Sequence, residues 1–345
     1  TQAWFREPNG IAVHDKSGDL YVADSRNHAV RWVTTNGAVT TIAGNGTGGS
    51  ADGKATAASF NYPVGVAVTS NRTVYIGDYN NHSIRRIDPD LNVKRIAGNG
   101  SGFADGPGQT AKFNRPTDIA LDLRGNLYIA DRYNHRIRVL SPTGVVTTLA
   151  GNGTAGSVDG GSQNAMFRYP WGISTDSAGR VFVGDRNNFR IRMVHNGLVF
   201  TIAGVTSNGF ADGPGPAARF SYPSGLGIRS NGQVLLADSL NHRVRSITVS
   251  DGACNISGKC WNAGMQNPAN ACQTCQADDS NKAWSARANN EACADDNYCS
   301  VNDTCKSGSC SGAALQCNDG DVCTADSCDT GTGSCKFTGI TNCSG

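Results

Sequence analysis

Short runs that alternate apolar with polar or small side chains recur through the first 250 residues, and none has the length or period of an amphipathic helix. The clearest is Asn126-Leu-Tyr-Ile-Ala-Asp131-Arg-Tyr-Asn134-His135-Arg-Ile-Arg138, with near copies over residues 19–31, 73–85, 180–192 and 233–245. Each copy closes its apolar run on an Asp (Asp24, Asp78, Asp131, Asp185 or Asp238), then places an Asn three residues later and an Arg four beyond that. Successive Asp residues lie 54, 53, 54 and 53 positions apart, a regularity that marks an internal repeat.

Every period carries the same strand signals. A proline (Pro8, Pro63, Pro116, Pro170 or Pro223), read as opening a Pro-x-Gly turn, leads into a first strand, for example residues 10–13 or 65–68. A turn with Gly or Asn separates it from the second strand, the Asp-x-x-Asn turn leads into the third, and a fourth recurs at residues 39–43, 93–97, 145–150 and 199–203. Four short strands per period predict an all-β chain folded as a β-propeller. The period exceeds the roughly 40–45 residues of an ordinary blade. The excess lies in loops such as 44–62 and 98–115, each with an Asp-Gly turn (Asp52, Asp105, Asp159, Asp212) and a Phe shortly before the proline. Those residues, Phe60, Phe113, Phe167 and Phe220 with Phe5 at the start, read as anchors packing each loop between blades. The fifth period lacks its fourth strand, since residues 247–251 run straight into a cysteine-rich stretch. Five repeats therefore predict five blades with the last completed imperfectly, or six where upstream sequence supplies a further blade.

The repeat resembles the NHL family, on the strength of Asn27-His28, Asn81-His82, Asn134-His135 and Asn241-His242, with Asn188-Phe189 departing. The family's motif Leu is replaced throughout by Ala, Ser or Arg. The loop Ile42-Ala-Gly-Asn-Gly46 and its echoes look most like the propeller of teneurin-type cell-surface proteins. This resemblance implies an NHL-type propeller over about 70% of the chain. One fold relative, the amidating lyase of peptide-hormone processing, uses histidine-bound zinc. Here the histidines occupy equivalent places in different blades, which opposes the convergence that three or four zinc ligands require.

Charge and cysteine change the picture at residue 250. Residues 1–250 hold 25 Lys/Arg against 17 Asp/Glu, and residues 251–345 hold 5 against 11. All 13 cysteines fall in the second stretch: Cys254, Cys260, Cys272, Cys275, Cys293, Cys299, Cys305, Cys310, Cys317, Cys323, Cys328, Cys335 and Cys343. Their density predicts disulfides of unknown pairing and an oxidising, extracellular compartment. An odd count leaves one thiol free, or bonded outside these residues. The stretch Cys317-Asn-Asp-Gly-Asp-Val-Cys323-Thr-Ala-Asp-Ser-Cys328 resembles CTDC-type extracellular matrix repeats, and the part preceding it looks like modules of secreted adhesins. The expected domains are a propeller over 1–250, a cysteine-rich module over 251–292 and tandem cysteine-rich repeats over 293–345. No apolar run reaches membrane-helix length. The chain does not begin with Met and reads as part of a longer secreted chain.

Candidate chemistry divides into what repeats and what varies. Five identical copies of Asp, Asn and Arg suit a scaffold better than one active site, so these are expected to cap turns by Asx-type bonds and to pair across the hairpin. No catalytic residues are assigned. Residues that differ between copies, Arg26, Tyr79, Arg132, Tyr133, Trp171 and Arg186, form the expected binding face, being side-chain types favoured at protein-binding hot spots. Asn45, Asn71, Asn99, Asn152 and Asn302 are the favoured glycosylation sequons. No cofactor or structural metal is expected, although Asp319 and Asp321 are candidate Ca²⁺ ligands.

The functional expectation is a secreted, non-enzymatic structural or adhesive protein. Its propeller would bind proteins or glycans, including copies of itself, within an extracellular fibre, matrix or cell-surface appendage. A receptor-like ligand-binding module and a metal-dependent lyase or hydrolase are the alternatives. Nucleic acid and a membrane span are not expected partners.

Overall fold

The computed structural model describes residues 3–229 and 231–249, and beyond them only backbone strands between residues 254 and 339. The chain divides into two compact units, Thr1–Val249 and Ser250–Gly345. The side chains of the cysteines and of the Asn302 sequon, and the Asp319 and Asp321 pair, lie outside the described residues.

The first unit is a five-bladed, all-β propeller of antiparallel sheets. Blade 1 is built from Pro8–Val13, Leu20–Asp24, Ala29–Val33 and Val39–Ala43, each hydrogen-bonded to the next. Blades 2, 3 and 4 repeat this order, their first strands being Pro63–Val68, Pro116–Leu121 and Ile173–Thr175, and each adds a two-residue outer strand from the connecting loop. Blade 5 has three strands among the described residues, Pro223–Ile228, Val234–Asp238 and Arg243–Ile247.

Packing between blades explains the period-2 pattern. Ile84, Ile137 and Ile191 on third strands are wholly buried, each in a cluster with the Phe of the following loop or with side chains of the next blade. Phe60, Phe113, Phe167 and Phe220 are buried to within 1% and sit under a guanidinium carbon at 5.1–5.2 Å. Truncating one such Phe costs about 3–5 kcal/mol in a packed core. Phe5, expected to behave likewise, is 38% exposed, because no blade precedes it among the described residues.

The first strands approach so closely that glycine is needed at the seam. A Cβ on Gly10 would lie 2.1 Å from the Val64 carbonyl oxygen, and one on Gly65 2.6 Å from that of Thr117. The third blade departs from the expected Pro-x-Gly, placing Asp118 at this point. Its carboxylate accepts the N–H of Ile119 at 3.0 Å and of Ile173, in the next blade, at 3.1 Å. Here a side chain bridges the strands that glycine elsewhere lets touch.

One seam is open. A Cβ on Gly225 would meet nothing within 4 Å, and Val244 is 77% exposed where its counterparts in blades 1 to 4 are wholly buried. On blade 1, Ile11 and Val13 are each 61% exposed. The first strands and this seam border a channel of about 930 Å³, lined among others by Val13, Asp118, Trp171, Arg186 and Val244.

Candidate functional site: an arginine–aromatic rim

The repeated polar residues build a brace. In blade 3 the Asp131 carboxylate accepts the Asn114 N–H at 2.7 Å and the Asn134 side-chain amide at 2.8 Å, and it pairs with Arg138 at 2.8 Å. Arg138 also donates to Asp105 of the connecting loop and to the carbonyls of Ala104 and Lys112. Arg85 and Arg192 repeat this arrangement with Asp78 and Asp52, and with Asp185 and Asp159; Arg245 does so with Asp238 and Asp212. The bonds reach back 17 residues to the loop, where the sequence suggested a local Asx turn. Burial and buried ion pairing go together here, since a guanidinium without its carboxylates would be costly in this place.

The histidines hold the blades together. His28, His82 and His135 take left-handed backbone angles at the end of the Asp-x-x-Asn turn, with φ between 49° and 53°. Their Nδ1 atoms accept the N–H of Tyr62, Arg115 and Tyr169, each in the following blade, at 3.1–3.2 Å. An Nδ1 that accepts is unprotonated, and burial first, then nearby arginine, lowers the His82 and His135 pKa values. Phe189, which stands where the motif departs, instead packs edge-on against Tyr222 at 5.3 Å. No group of three metal-ligating side chains occurs among the described residues.

The residues donating to those histidines, together with Glu7 and Tyr222, immediately precede the repeated prolines and all have φ between 50° and 59°. Such angles are uncommon for residues with a Cβ and sustained by their surroundings. They place side chains on the same face as the Asp-x-x-Asn turns, to which the loops are tied by bonds such as Tyr133 N–H to the Asn114 carbonyl at 3.1 Å.

On that face Tyr79, Arg132, Tyr133, Trp171 and Arg186 come together from three blades. The guanidinium carbons of Arg132 and Arg186 sit 4.6 and 4.5 Å from the Trp171 ring centre. Arg132 lies 5.0 Å over Tyr133 and donates to the Tyr79 hydroxyl at 2.6 Å. The Tyr79 ring is 6.5 Å from Trp171. Arg26 stands apart, paired with Glu7 at 2.7 Å. Sequence reading passed over Arg115, Tyr169 and Tyr222, which complete the group: Arg115 lies over both Tyr79 and Tyr133, Tyr169 under Arg132, and Tyr222 under Arg186. The signal was present in the position before each proline, which holds Tyr or Arg in four of the five copies.

Electrostatics set this group apart from the braces. Among the described residues, Arg115, Arg132 and Arg186 have no carboxylate within 4.0 Å; the Nε atoms of Arg132 and Arg186 are buried without a hydrogen-bond partner, as is that of the brace arginine Arg85. Burial lowers the Arg186 pKa, and the adjacent Arg132 lowers it further. Burial would raise the Tyr133 phenol, yet Arg132 and Arg115 hold it below its ordinary value. Of the sequon residues, Asn45, Asn71 and Asn152 accept the N–H of Thr47, Thr73 and Thr154 in turns, and Asn45, Asn71 and Asn99 are exposed.

The NHL repeat profile matches residues 5–33, 60–87, 113–140 and 167–192. The Arabidopsis thaliana protein SUPPRESSOR OF QUENCHING 1, chloroplastic, is 34% identical over 72% of this chain and 26% of its own length. Teneurin-4 of Mus musculus is 25% identical over 71% of the chain and 10% of its own length. The chain thus spans about a quarter or less of these two relatives. An auxiliary nutrient binding protein from Bacteroides ovatus shares the fold, with a TM-score of 0.56 at 19% identity over 72% of this chain and 60% of that one.

Proposed function

We propose that this five-bladed NHL-repeat propeller is a non-catalytic binding module, secreted and built into an extracellular assembly, whose Trp171 rim face holds a protein partner. The observation that carries the reading is the grouping of Arg132, Trp171 and Arg186 with no carboxylate of the described residues paired to either arginine. Tyr, Trp and Arg in partly desolvated clusters are the side chains that dominate binding energy at protein interfaces. The chemistry-bearing residues common to all blades are engaged in braces and latches instead, which favours a scaffold that presents a site over one that performs a reaction. Thirteen cysteines within 92 residues support an oxidising compartment.

The test compares the full chain with an Arg132→Ala/Trp171→Ala double variant. Assembly with the extracellular material of the source is followed by particle imaging and sedimentation velocity. The double variant is expected to leave the assembly while keeping its melting temperature; unchanged assembly would remove the proposal. A discrete complex of fixed stoichiometry, without a repeating filament, would redirect the reading to a receptor-like module.

A further inference from the structure

The partner's chemistry can be narrowed from what the rim leaves unsatisfied. Resting on the binding-module reading above, we propose that the Arg132–Arg186 pair receives an acidic protein segment, two of whose carboxylates bridge the guanidiniums across Trp171.

The nearest counterpart on this face, Arg26, is answered within the chain. Arg26 meets Glu7 at 2.7 Å, and Glu7 also accepts the Tyr62 hydroxyl at 2.9 Å. The braces of blades 2 to 5 each carry two carboxylates. By contrast Arg115, Arg132 and Arg186 are steadied by π faces and phenol oxygens alone. Holding two arginines over one ring leaves like charges close together, and Arg132 adds to the burial that first lowers the Arg186 pKa. A ligand bringing negative charge would relieve it.

The aromatic rings point to the same ligand class. Trp171 carries the Arg132 guanidinium at 4.6 Å and that of Arg186 at 4.5 Å, and Tyr133 carries Arg115 at 5.2 Å and the same Arg132 at 5.0 Å. Rings engaged in this way are poor platforms for stacking a sugar. What these rings leave to an incoming ligand are guanidinium N–H donors, so the fitting ligand supplies oxygen acceptors. Guanidinium forks take carboxylates bidentately, and surrounding aromatics keep water from competing.

Distance sets the pattern within the segment. The two guanidinium carbons can be no farther apart than the sum of their distances to the Trp171 ring centre, about 9 Å. Side chains two residues apart on an extended strand project from one face at a spacing of about 7 Å. An acidic-x-acidic sequence in extended form therefore spans the pair. The three guanidiniums gathered over Trp171 and Tyr133 are compact, whereas a long sulfated glycan would draw on a stripe of charge along the surface.

The experiment uses the full chain and a fluorescein-labelled hexaglutamate peptide, with binding read by fluorescence anisotropy at 50 and 200 mM salt. Wild type is expected to bind at least tenfold tighter than Arg132→Gln/Arg186→Gln, and Arg124→Gln, an exposed arginine in a turn, to match wild type within twofold. Arg186→Gln alone is the second variant and should fall between the two. Circular dichroism and melting report that each variant is folded. Equal binding by wild type and the double variant would overturn the inference. So would a heparin-derived hexasaccharide that binds tenfold tighter than the peptide and is lost in the same double variant, although that outcome would leave a functional rim face in place. Binding of neither probe would overturn the acidic assignment alone, since the assembly test of the binding module does not depend on it.

Discussion

Arg132 and Arg138 stand six residues apart in one blade and have opposite electrostatic settings. Arg138 is wholly buried, with Asp131 and Asp105 beside it and two carbonyls completing its bonds. Arg132 rests on aromatic rings and meets no carboxylate among the described residues. The difference teaches that residue type does not separate scaffold from site; the charge partners do. An arginine answered inside the chain belongs to the fold, and one left unanswered is available to something outside it. Arg31 falls between, since it reaches only Asp24, at 3.7 Å, and its Nε is buried without a partner.

The brace should dominate stability. Arg138→Met strands two carboxylates, one wholly buried, and removal of one member of a buried pair typically costs about 3–5 kcal/mol. Denaturant unfolding of the full chain measures this, following the propeller by the fluorescence of its tryptophans. A loss under about 1 kcal/mol would erase the contrast between brace and rim.

Asp118 offers a pH test of the same principle, being a carboxylate with no arginine partner among the described residues. Burial pushes its carboxyl up to about 7, and the Ile173 and Ile119 N–H groups only partly offset this. Folded Asp118 thus holds its proton at pH values where the unfolded chain has lost it. Stability from this residue is present below pH 4 and is lost as pH rises toward 7. Each pKa unit corresponds to about 1.4 kcal/mol, but Asp118 is only half-buried against the channel. Solvent screening trims the expected loss to on the order of 1–2 kcal/mol. Asp118→Asn should flatten the curve between pH 4 and pH 7 relative to wild type. Parallel curves for the two proteins would show that Asp118 is ionised in the fold.

Arg31 should give a smaller effect than Arg138, because its ion pair is longer and it has one carboxylate rather than two. Arg31→Met leaves the buried Asp24 with the Arg6 N–H and the Asn27 amide and is expected to cost about 1–2 kcal/mol in the same unfolding measurement. A loss equal to that of Arg138→Met would mean that a carboxylate from beyond the described residues completes the brace at the open seam.

Much of this architecture was legible because it repeats. The 53- and 54-residue spacing, the Phe before each proline and the Asp-x-x-Asn turn gave five blades and their anchors without a structure. Less legible were features that depend on a neighbour in space. The Asp bonds were read as local, whereas Asp131 reaches back to Asn114, a loop residue brought near only by the blade's closure. His135 drew attention as a metal ligand, yet its Nδ1 is taken by the Tyr169 N–H of the next blade. On the rim, variation between copies singled out Arg132, Tyr133 and Trp171, but Arg26 shared their pattern and is neutralised by Glu7. Arg115 was hidden because its place before Pro116 suggested a turn and nothing more. The open seam could be suspected from the missing fourth strand, but only exposure of Val244 and the empty space beyond Gly225 locate it.

The smallest expected effect on stability sharpens the comparison most. Arg186 is partly desolvated, lies over the Trp171 ring that Arg132 shares, and has a buried Nε with no acceptor. Removing its charge takes away cation–π contact, worth about 0.5–1 kcal/mol at exposed sites. The same change relieves repulsion from Arg132, which helps to lower the Arg186 pKa in the folded protein. These contributions oppose one another, so Arg186→Gln should change unfolding free energy by less than about 0.5 kcal/mol, in either direction. A residue kept in this setting at no gain in stability is better accounted for by what it binds. If Arg186→Gln instead destabilised the propeller as Arg138→Met does, the rim would be a second brace, and its arginines would lose their claim to a partner.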